Sequence, residues 1–435
     1  MPRPDFKPVR AEAVCITGAR LLDPASKLDA AADLLVADGR IAKIGSAAGG
    51  GFEGLRIDGA GLIVVPGFVD MHAHLREPGR EDEETIRSGA EAAAAGGFTE
   101  IACMPNTNPP VDDRPSVEFV RRRAAGLVTD VHPIAAITKG QRGDELVEMA
   151  DCAEAGAVAF SDDGRPVEKA SVMRRAVEYA GMTGRPVISH SEDLSLSDGG
   201  VMHEGARSTR LGLRGIPSIS EEIAVDRDIR IAEYVGGRIH IAHVSTAGSV
   251  RLIREAKARG VTVTAETCPH YLTLTDEAVQ GYDPNAKMNP PLRTAEDRAA
   301  LWEGLKDGTI DAVSTDHAPH SSEEKNVEFD AAPFGVIGLE TAVGLLLTHG
   351  VHKRKLTLRE LVLVLSVLPR RILGLSEARI REGAGANLTF LRPDAAWTVD
   401  RDGFFSKSKN TPFHGWALKG AAAGVLRGDQ FYLAP

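Results

Sequence analysis

Short apolar segments alternate with amphipathic segments along residues 67–375, and this alternation most constrains the fold. Eight strand-like segments are separated by stretches whose apolar residues recur at helical spacing. Such a chain builds either a closed (β/α)₈ barrel or an open doubly wound sheet. No GxGxxG sequence follows an early strand, so the barrel is the better prediction. The eight segments are FVDMHAH, TEIACMP, VHPIAAI, AVAFSDD, RPVISH, RIHIAH, VTVTAE and DAVSTDH.

The two ends of the chain carry a different pattern. Both contain β-type apolar runs broken by turn dipeptides such as Asp-Gly and Gly-Gly. The simplest arrangement pairs residues 1–66 with residues 378–435 in one small β domain, beside a barrel formed by residues 67–377. A Ser-, Gly- and Arg-rich stretch from Leu194 to Pro217 is predicted to be a long loop, of the kind that often forms a lid.

The composition limits the partners and the environment of the chain. A net charge of −10 does not favour nucleic acid or an anionic membrane surface. No apolar run approaches ~20 residues, so no membrane span is expected. The amino terminus lacks the apolar core of a signal peptide. Widely spaced cysteines without a CxxC pair predict free thiols in a reducing cytoplasm. They are Cys15, Cys103, Cys152 and Cys268.

The strongest chemical signal is the pair His72 and His74 at the end of the first predicted barrel strand. Residues i and i+2 of a strand point to the same side, so both imidazoles should face the barrel mouth. Active sites of this fold lie at the carboxyl ends of the strands, and imidazole is a common zinc ligand. Two histidines alone would also be compatible with a structural role.

Further strand ends carry ligand-type side chains. Strand four ends in Asp162 and Asp163, strand five in His190, strand six in His243 and strand eight in Asp316. Because barrel strands end at one level, these groups are expected to converge, and we predict a metal centre. Strand parity does not decide between the two neighbouring aspartates, and Asp162 could instead cap a loop or helix.

Longer motifs resemble those of the class I bacterial dihydroorotases of the amidohydrolase superfamily. The resemblance runs through the whole barrel and into residues 332–340. The sequence HLREPG followed by MPNT distinguishes the dihydroorotases from other members of the superfamily. It implies a (β/α)₈ barrel, which is an α/β fold, with a composite β-sandwich built by the two chain ends. The motifs are HAHLREPG, MPNTNP, FSDDG, SHSED, IAHVST, ETCPHYL, KMNPPLR and STDHAPH.

The same resemblance implies one or two Zn²⁺ ions and selects Asp163 over Asp162. Many relatives bridge two metals with a carboxylated lysine on strand four, but AVAFSDD contains no lysine. Ser191 stands where family members often carry a cysteine, which excludes a thiolate ligand at that position. The implied metal ligands are His72, His74, Asp163, His190, His243 and Asp316.

The implied reaction is the reversible ring opening of dihydroorotate to N-carbamoyl-L-aspartate in pyrimidine synthesis. Asp316 would be the catalytic acid–base group. The Arg76 guanidinium would grip the substrate carboxylate with two hydrogen bonds, and it should point the same way as His74 if the strand continues. Asn106 and Asn289 could instead be loop residues. The implied substrate-binding residues are His74, Arg76, Asn106, Asn289, His320, Phe334 and Gly335.

Two other functions are weighed against this one. A related cyclic amidohydrolase, such as an allantoinase or dihydropyrimidinase, should carry the strand-four lysine and lack Arg-Glu-Pro-Gly after the paired histidines. A non-catalytic scaffold for aspartate transcarbamoylase should have lost metal ligands, whereas every ligand position here is filled. The dihydroorotase prediction is therefore preferred. A homodimer is expected, and a stable complex with aspartate transcarbamoylase is left open.

Overall fold

Parallel strands close into a ring in the computed structural model, which describes residues 5–45, 48 and 52–434. The first three barrel strands pair in one sheet and the last four in another. Phe160 bridges Ala135 on one side and Val187 on the other, so it occupies the fourth position. A bridge between Ala73 and His317 closes the ring. The predicted barrel is confirmed. Its strands are Phe68–Ala73, Phe98–Cys103, Asp130–Pro133, Val187–Ser189, Ile239–Ile241, Val263–Thr267 and Ala312–Val313.

The helices follow the predicted amphipathic segments. The first helix begins after Thr85, whose hydroxyl accepts a hydrogen bond from the backbone N–H of Ser88 and caps the helix. Each helix between barrel strands buries apolar residues against the ring. Two π-helical turns lie at Leu347–Val351 and Leu363–Val367. The longer α-helices are Ile86–Ala95, Arg114–Ala124, Met149–Ala155, Ala170–Thr183, Ile219–Val235, Ala247–Ala258 and Ala295–Asp307. The shorter α-helices include Pro269–Thr273, Ser322–Lys325, Ala342–Leu346, Leu358–Val362 and Leu368–Leu373.

Strands from both chain ends form one hydrogen-bonded sheet. Asn387–Thr398 from the carboxyl-terminal part pairs with Ile63–Pro66 from the amino-terminal part. Buried side chains such as Ile16, Leu34 and Phe390 form a separate core beneath this sheet. The composite β domain is confirmed, while the exact domain boundaries stay a prediction. The strands are Val9–Arg10, Ala13–Asp23, Leu28–Ala37, Arg40–Ile44, Leu55–Asp58, Ile63–Pro66, Asn387–Thr398, Ala417–Arg427 and Gln430–Leu433.

The segment from Leu194 to Pro217 contains more regular structure than the predicted loop. The buried guanidinium of Arg293 donates a hydrogen bond to the carbonyl oxygen of Ile216 and ties this segment to the barrel. The predicted long loop therefore contains short helices and strands that its composition did not indicate. The segment contains the helices Leu194–Ser197 and Ala206–Leu211 and the paired strands Met202–His203 and Gly215–Ile216.

Within residues 5–45, 48 and 52–434, no helix is both long and apolar enough to cross a membrane. The four cysteines are free thiols, and all four are buried.

Candidate metal and substrate site

The carboxylate of Asp163 lies among four histidines at the carboxyl ends of the barrel strands. Its Oδ1 atom is 3.4 Å from Nε2 of His72, and its Oδ2 atom is 3.4 Å from Nε2 of His74. The same Oδ1 atom is 3.5 Å from Nδ1 of His190 and 3.5 Å from Nε2 of His243. All five side chains are buried. Nitrogen atoms from three different strand ends therefore face one carboxylate.

Asp316 joins the same cluster from the end of strand eight. Its Oδ1 atom is 3.3 Å from Nε2 of His74 and 3.5 Å from Nε2 of His72. Asp316 has a φ of +47° and His243 a φ of +36°. Non-glycine residues avoid this left-handed region, and such strain is concentrated at functional sites. The fold thus holds two members of the cluster in backbone conformations that cost energy.

Two atoms at the centre of the cluster are buried without a hydrogen-bond partner among the described residues. They are Nε2 of His72 and Oδ1 of Asp163. Leaving a buried polar atom unpaired is costly, and a bound cation would satisfy both. Two overlapping groups that share Asp163 have the spacing needed to hold an ion. The residues present therefore fit one or two metal ions. The groups are His72, His74 and Asp163, and Asp163, His190 and His243.

The electrostatics of the cluster also favour a cation. Burial raises the pKa of Asp163 and lowers that of His72, but in each case the opposite charges and hydrogen bonds of several neighbours together outweigh burial. The pKa of Asp163 consequently lies well below its usual value, and that of His72 well above. For His190, Asp163 and Glu192 together overcome burial and raise the pKa to about 10. The carboxylates draw positive charge into the site, which protons or metal ions can supply.

Three of the histidines have a partner on the ring nitrogen that faces away from Asp163. Such outer contacts fix the orientation of each ring and select its tautomer. This arrangement leaves the other nitrogen of each ring directed at the centre. The contacts are His72 Nδ1 to Glu266 Oε1 at 3.0 Å, His74 Nδ1 to Asn106 Oδ1 at 2.8 Å, and His190 Nε2 to Glu192 Oε2 at 3.0 Å.

The roles of Glu266 and Glu192 in orienting these rings were missed by the sequence analysis. Both stand at strand ends inside conspicuous motifs, which was the available signal. Asn106 and Asn289, predicted to bind substrate, lie against this outer layer. The Asn289 amide donates to Oε2 of Glu192 at 2.9 Å, while the Asn106 oxygen contacts His74. Their contact with a substrate stays a prediction.

Asp162 points away from the cluster. Its Oδ1 atom accepts hydrogen bonds from the backbone N–H groups of Ile137 and Thr138, at 2.8 and 3.1 Å. Burial raises the pKa of Asp162 to about 6. This carboxylate anchors the chain that follows strand three, whereas its neighbour Asp163 faces the histidines. The structure thus separates two residues that strand parity could not distinguish.

Arg76 lies beside the cluster, but it does not arrive there by strand alternation. The first barrel strand ends at Ala73, and Arg76 turns the chain with a φ of +59°. The condition that the strand continues to Arg76 is therefore not met. Its Nε atom donates to the carbonyl oxygen of Pro319 at 3.0 Å and lies 3.2 Å from Oε2 of Glu83. Its Nη2 atom is 3.4 Å from Nε2 of His320.

His320 is surrounded by the other predicted substrate contacts. Its Nε2 atom donates to the carbonyl oxygen of Phe334 at 2.7 Å. At Gly335, where φ is +136°, a Cβ atom would lie 2.8 Å from Cβ of Ala318 and 3.0 Å from Nε2 of His320. Only glycine permits this approach. The Asn410 amide donates to the carbonyl oxygens of Ala318 and Gly335, and its Oδ1 accepts from the backbone N–H of His320.

Asn410 belongs to the carboxyl-terminal part of the chain and had no sequence signal of a role near the site. It lies between Asn387–Thr398 and Ala417–Arg427, two strands of the β domain. The site is therefore completed by a segment outside the barrel. Sequence analysis could not have placed it there, because the contact spans 90 residues from His320.

A closed barrel with histidines and carboxylates gathered at its strand ends is suited to metal-dependent hydrolysis. The L-hydantoinase (dihydropyrimidinase) of Arthrobacter aurescens superposes with a TM-score of 0.85 and 27% identity, covering 95% of this chain and 94% of that one. Residues 61–249 match the dihydro-orotase-like family.

Two relatives identified by sequence indicate a narrower family. The chain is 56% identical to the dihydroorotase of Pelotomaculum thermopropionicum and 54% identical to that of Syntrophus aciditrophicus. Each alignment covers 95% of this chain and 97% of the relative. The chain belongs to the dihydroorotase family, which confirms the resemblance noted from its motifs.

Proposed function

We propose that the chain catalyses the reversible hydrolysis of L-dihydroorotate to N-carbamoyl-L-aspartate with one or two Zn²⁺ ions. The observation that carries this proposal is the position of Arg76 beside the metal-type cluster. Burial lowers the pKa of the Arg76 guanidinium, and the nearby carboxylates of Glu83, Asp316 and Asp163 oppose this effect. Dihydroorotate held with its ring amide at the cluster would have its carboxylate within reach of this arginine.

The donor set of imidazole nitrogens and carboxylate oxygens supports zinc. A bound zinc ion would supply Lewis acidity, which polarises a carbonyl group and lowers the pKa of a water molecule. The histidine orientations set by Glu266, Asn106 and Glu192 would preserve this geometry. The proposed ligands are His72, His74, Asp163, His190, His243 and Asp316.

Asp316 is the proposed acid–base group. In hydrolysis, a C–O bond forms at the ring carbonyl and the ring C–N bond breaks. Asp316 takes the proton of the attacking water and passes it to the departing nitrogen. In ring closure, the same carboxylate accepts the proton of the carbamoyl nitrogen. A single carboxylate that lies 3.3 Å from His74 and faces the cluster can serve both directions.

Arg76 and His320 form the proposed carboxylate-binding side of the pocket. Glu83 lies 3.2 Å from the Arg76 guanidinium and 3.0 Å from His320 Nδ1, so it holds both groups in place. His320 also lines a cleft of about 720 Å³, together with residues such as Lys325 and Asn410. The proposed substrate contacts are His74, Arg76, Asn106, Asn289, His320, Phe334 and Gly335.

An assay of the purified chain with three ring substrates tests the proposal. We expect interconversion of dihydroorotate and carbamoyl aspartate, with slower hydrolysis of hydantoin and dihydrouracil. Preferred hydrolysis of either of the latter rings would instead favour the related cyclic amidohydrolases. The absence of turnover in a metal-loaded sample would favour a scaffold.

Replacing Arg76 by methionine should reduce kcat/KM for dihydroorotate roughly 10- to 150-fold. A lost charge-assisted hydrogen bond costs about 1.5–3 kcal/mol, and most of the loss should appear in KM if the arginine binds ground and transition states alike. The preference for dihydroorotate over dihydrouracil, which lacks the carboxylate, should disappear. Comparing the two kcat/KM values in one preparation measures this preference.

Arg80→Met is the matched control, because Arg80 also contacts Glu83 but is much more exposed. This variant should keep the substrate preference of the unaltered chain. An Arg76→Met variant that discriminates between the two rings as the unaltered chain does would place carboxylate recognition elsewhere.

The two reaction directions should respond to pH in opposite ways. Opening the neutral ring amide produces a carboxylic acid with a pKa of ~4, which releases its proton at neutral pH. Ring closure must take that proton up again, so hydrolysis should gain and synthesis should lose as the pH rises. Initial rates measured in both directions across the neutral range provide the comparison. Parallel profiles would be inconsistent with this proton balance.

We further propose a homodimer in the cytoplasm, with aspartate transcarbamoylase as a candidate partner. The four free, buried cysteines support a reducing compartment. Sedimentation of the chain, alone and mixed with the transcarbamoylase, measures both associations.

A further inference from the structure

A second group of ligand-type side chains lies next to Asp316. Cys268 follows the strand Val263–Thr267, and His270 lies in the first turn of the helix Pro269–Thr273. One ligand atom from each of Cys268, His270 and Asp316 lies within 4.8 Å of the other two. Neither Cys268 nor His270 has a role in the proposed reaction.

The imidazole of His270 carries an unused donor atom. Its Nε2 atom is buried and has no hydrogen-bond partner within residues 5–45, 48 and 52–434, and the residue is only 2% exposed. A buried nitrogen without a partner is costly unless it binds a ligand. Its neighbours are a thiol and a carboxylate, which are also metal ligands.

We propose that Cys268, His270 and Asp316 form a second, adjoining binding site for a thiophilic divalent cation, and that its occupancy inhibits the enzyme. Sulfur and imidazole ligands with one carboxylate suit Cd²⁺, or Zn²⁺ in excess of the amount needed for activity. Binding forms a metal–sulfur bond and releases the thiol proton to water, so no oxidant or reductant is required.

The inhibition follows from the shared carboxylate. Asp316 is 7% exposed, whereas Cys268 is fully buried, so an ion arriving from the barrel mouth meets Asp316 first. An ion held between Cys268 and Asp316 engages a carboxylate oxygen and prevents Asp316 from exchanging protons. The site itself is independent of the reaction, whereas its inhibitory effect rests on the proposed role of Asp316.

Titration of the zinc-loaded chain with Cd²⁺ tests the site. A thiolate bound to cadmium produces an ultraviolet charge-transfer band, whereas Cd²⁺ exchanged into the histidine cluster would produce none. We expect the band to saturate at one Cd²⁺ per chain and the activity to fall in parallel. Cys268→Ser should lose the band and keep its activity at the same Cd²⁺ concentration.

Two further variants complete the test. Cys152→Ser removes a buried thiol from the distant helix Met149–Ala155 and should behave like the unaltered chain. His270→Gln keeps the thiol and should shift the band to higher Cd²⁺ concentration. It also provides the test if Cys268→Ser does not fold, as judged by Tm and zinc content.

A band that persists in Cys268→Ser, or its absence from the unaltered chain at saturating Cd²⁺, would overturn the site. A band without loss of activity would support the cation site but contradict the proposed inhibition. Because the band needs no turnover, these results are independent of whether dihydroorotate is the substrate.

Discussion

Replacing Asp316 by asparagine should reduce kcat for dihydroorotate hydrolysis by at least ~100-fold, the low end for a positioned acid–base group. Asparagine keeps the shape of the side chain but cannot accept the proton of the attacking water or deliver it to the ring nitrogen. Ring closure should fall by a similar factor, because the same group serves both directions. Steady-state kinetics with dihydroorotate and with carbamoyl aspartate measure the two effects.

The zinc content of this variant must be measured first, since Asp316 lies 3.3 Å from His74 and is itself a proposed ligand. Only a fully loaded sample separates lost proton transfer from lost metal. A loaded Asp316→Asn variant whose kcat stays within ~10-fold of the unaltered chain would assign the acid–base role to another group.

Removing the metal should abolish activity completely, and adding Zn²⁺ should restore it. Without a bound cation, His72 Nε2 and Asp163 Oδ1 have no hydrogen-bond partner among the residues that the structure describes. The metal-free chain should also have a lower Tm, because an ion at 100 times its Kd stabilises the fold by ~2.7 kcal/mol. Dialysis against a strong chelator, followed by metal analysis, activity measurement and thermal unfolding, provides the data.

Asp163→Asn should lower the zinc content, because this carboxylate lies among all four histidines. His349→Ala is a suitable control, since His349 packs near Trp416 and, within the described part of the chain, belongs to no ligand-type group. It should retain full zinc content. Unchanged activity in a sample shown to be free of metal would rule out the proposed mechanism.

The barrel could be predicted because its signals are local. A short apolar strand and the amphipathic helix after it are each encoded within about a dozen residues. Residues 221–235 and 249–260 have the periodicity that predicts helices, and the helices Ile219–Val235 and Ala247–Ala258 begin and end within two residues of these segments. Strand four was also predicted, although its pairing is limited to bridges at Phe160.

The gathering of ligand-type residues could be predicted for a similar reason. His72, His190, His243 and Asp316 each stand at the end of a predicted strand, and parallel barrel strands end at one level. Position along a strand therefore specified that these side chains would meet. It did not specify which atoms face inward, because that depends on contacts with other strands.

The sequence by itself determined the barrel, its strand ends and the residue types gathered there. Only the tertiary structure decided that Asp163 faces the histidines while Asp162 binds backbone N–H groups near Thr138. It also decided that Arg76 is aimed by a left-handed turn, and that Asn410 holds the His320 side of the pocket. These outcomes depend on backbone conformation and on hydrogen bonds between residues far apart in the chain. Hydrophobic periodicity, in contrast, carries information only about residues that are close in sequence.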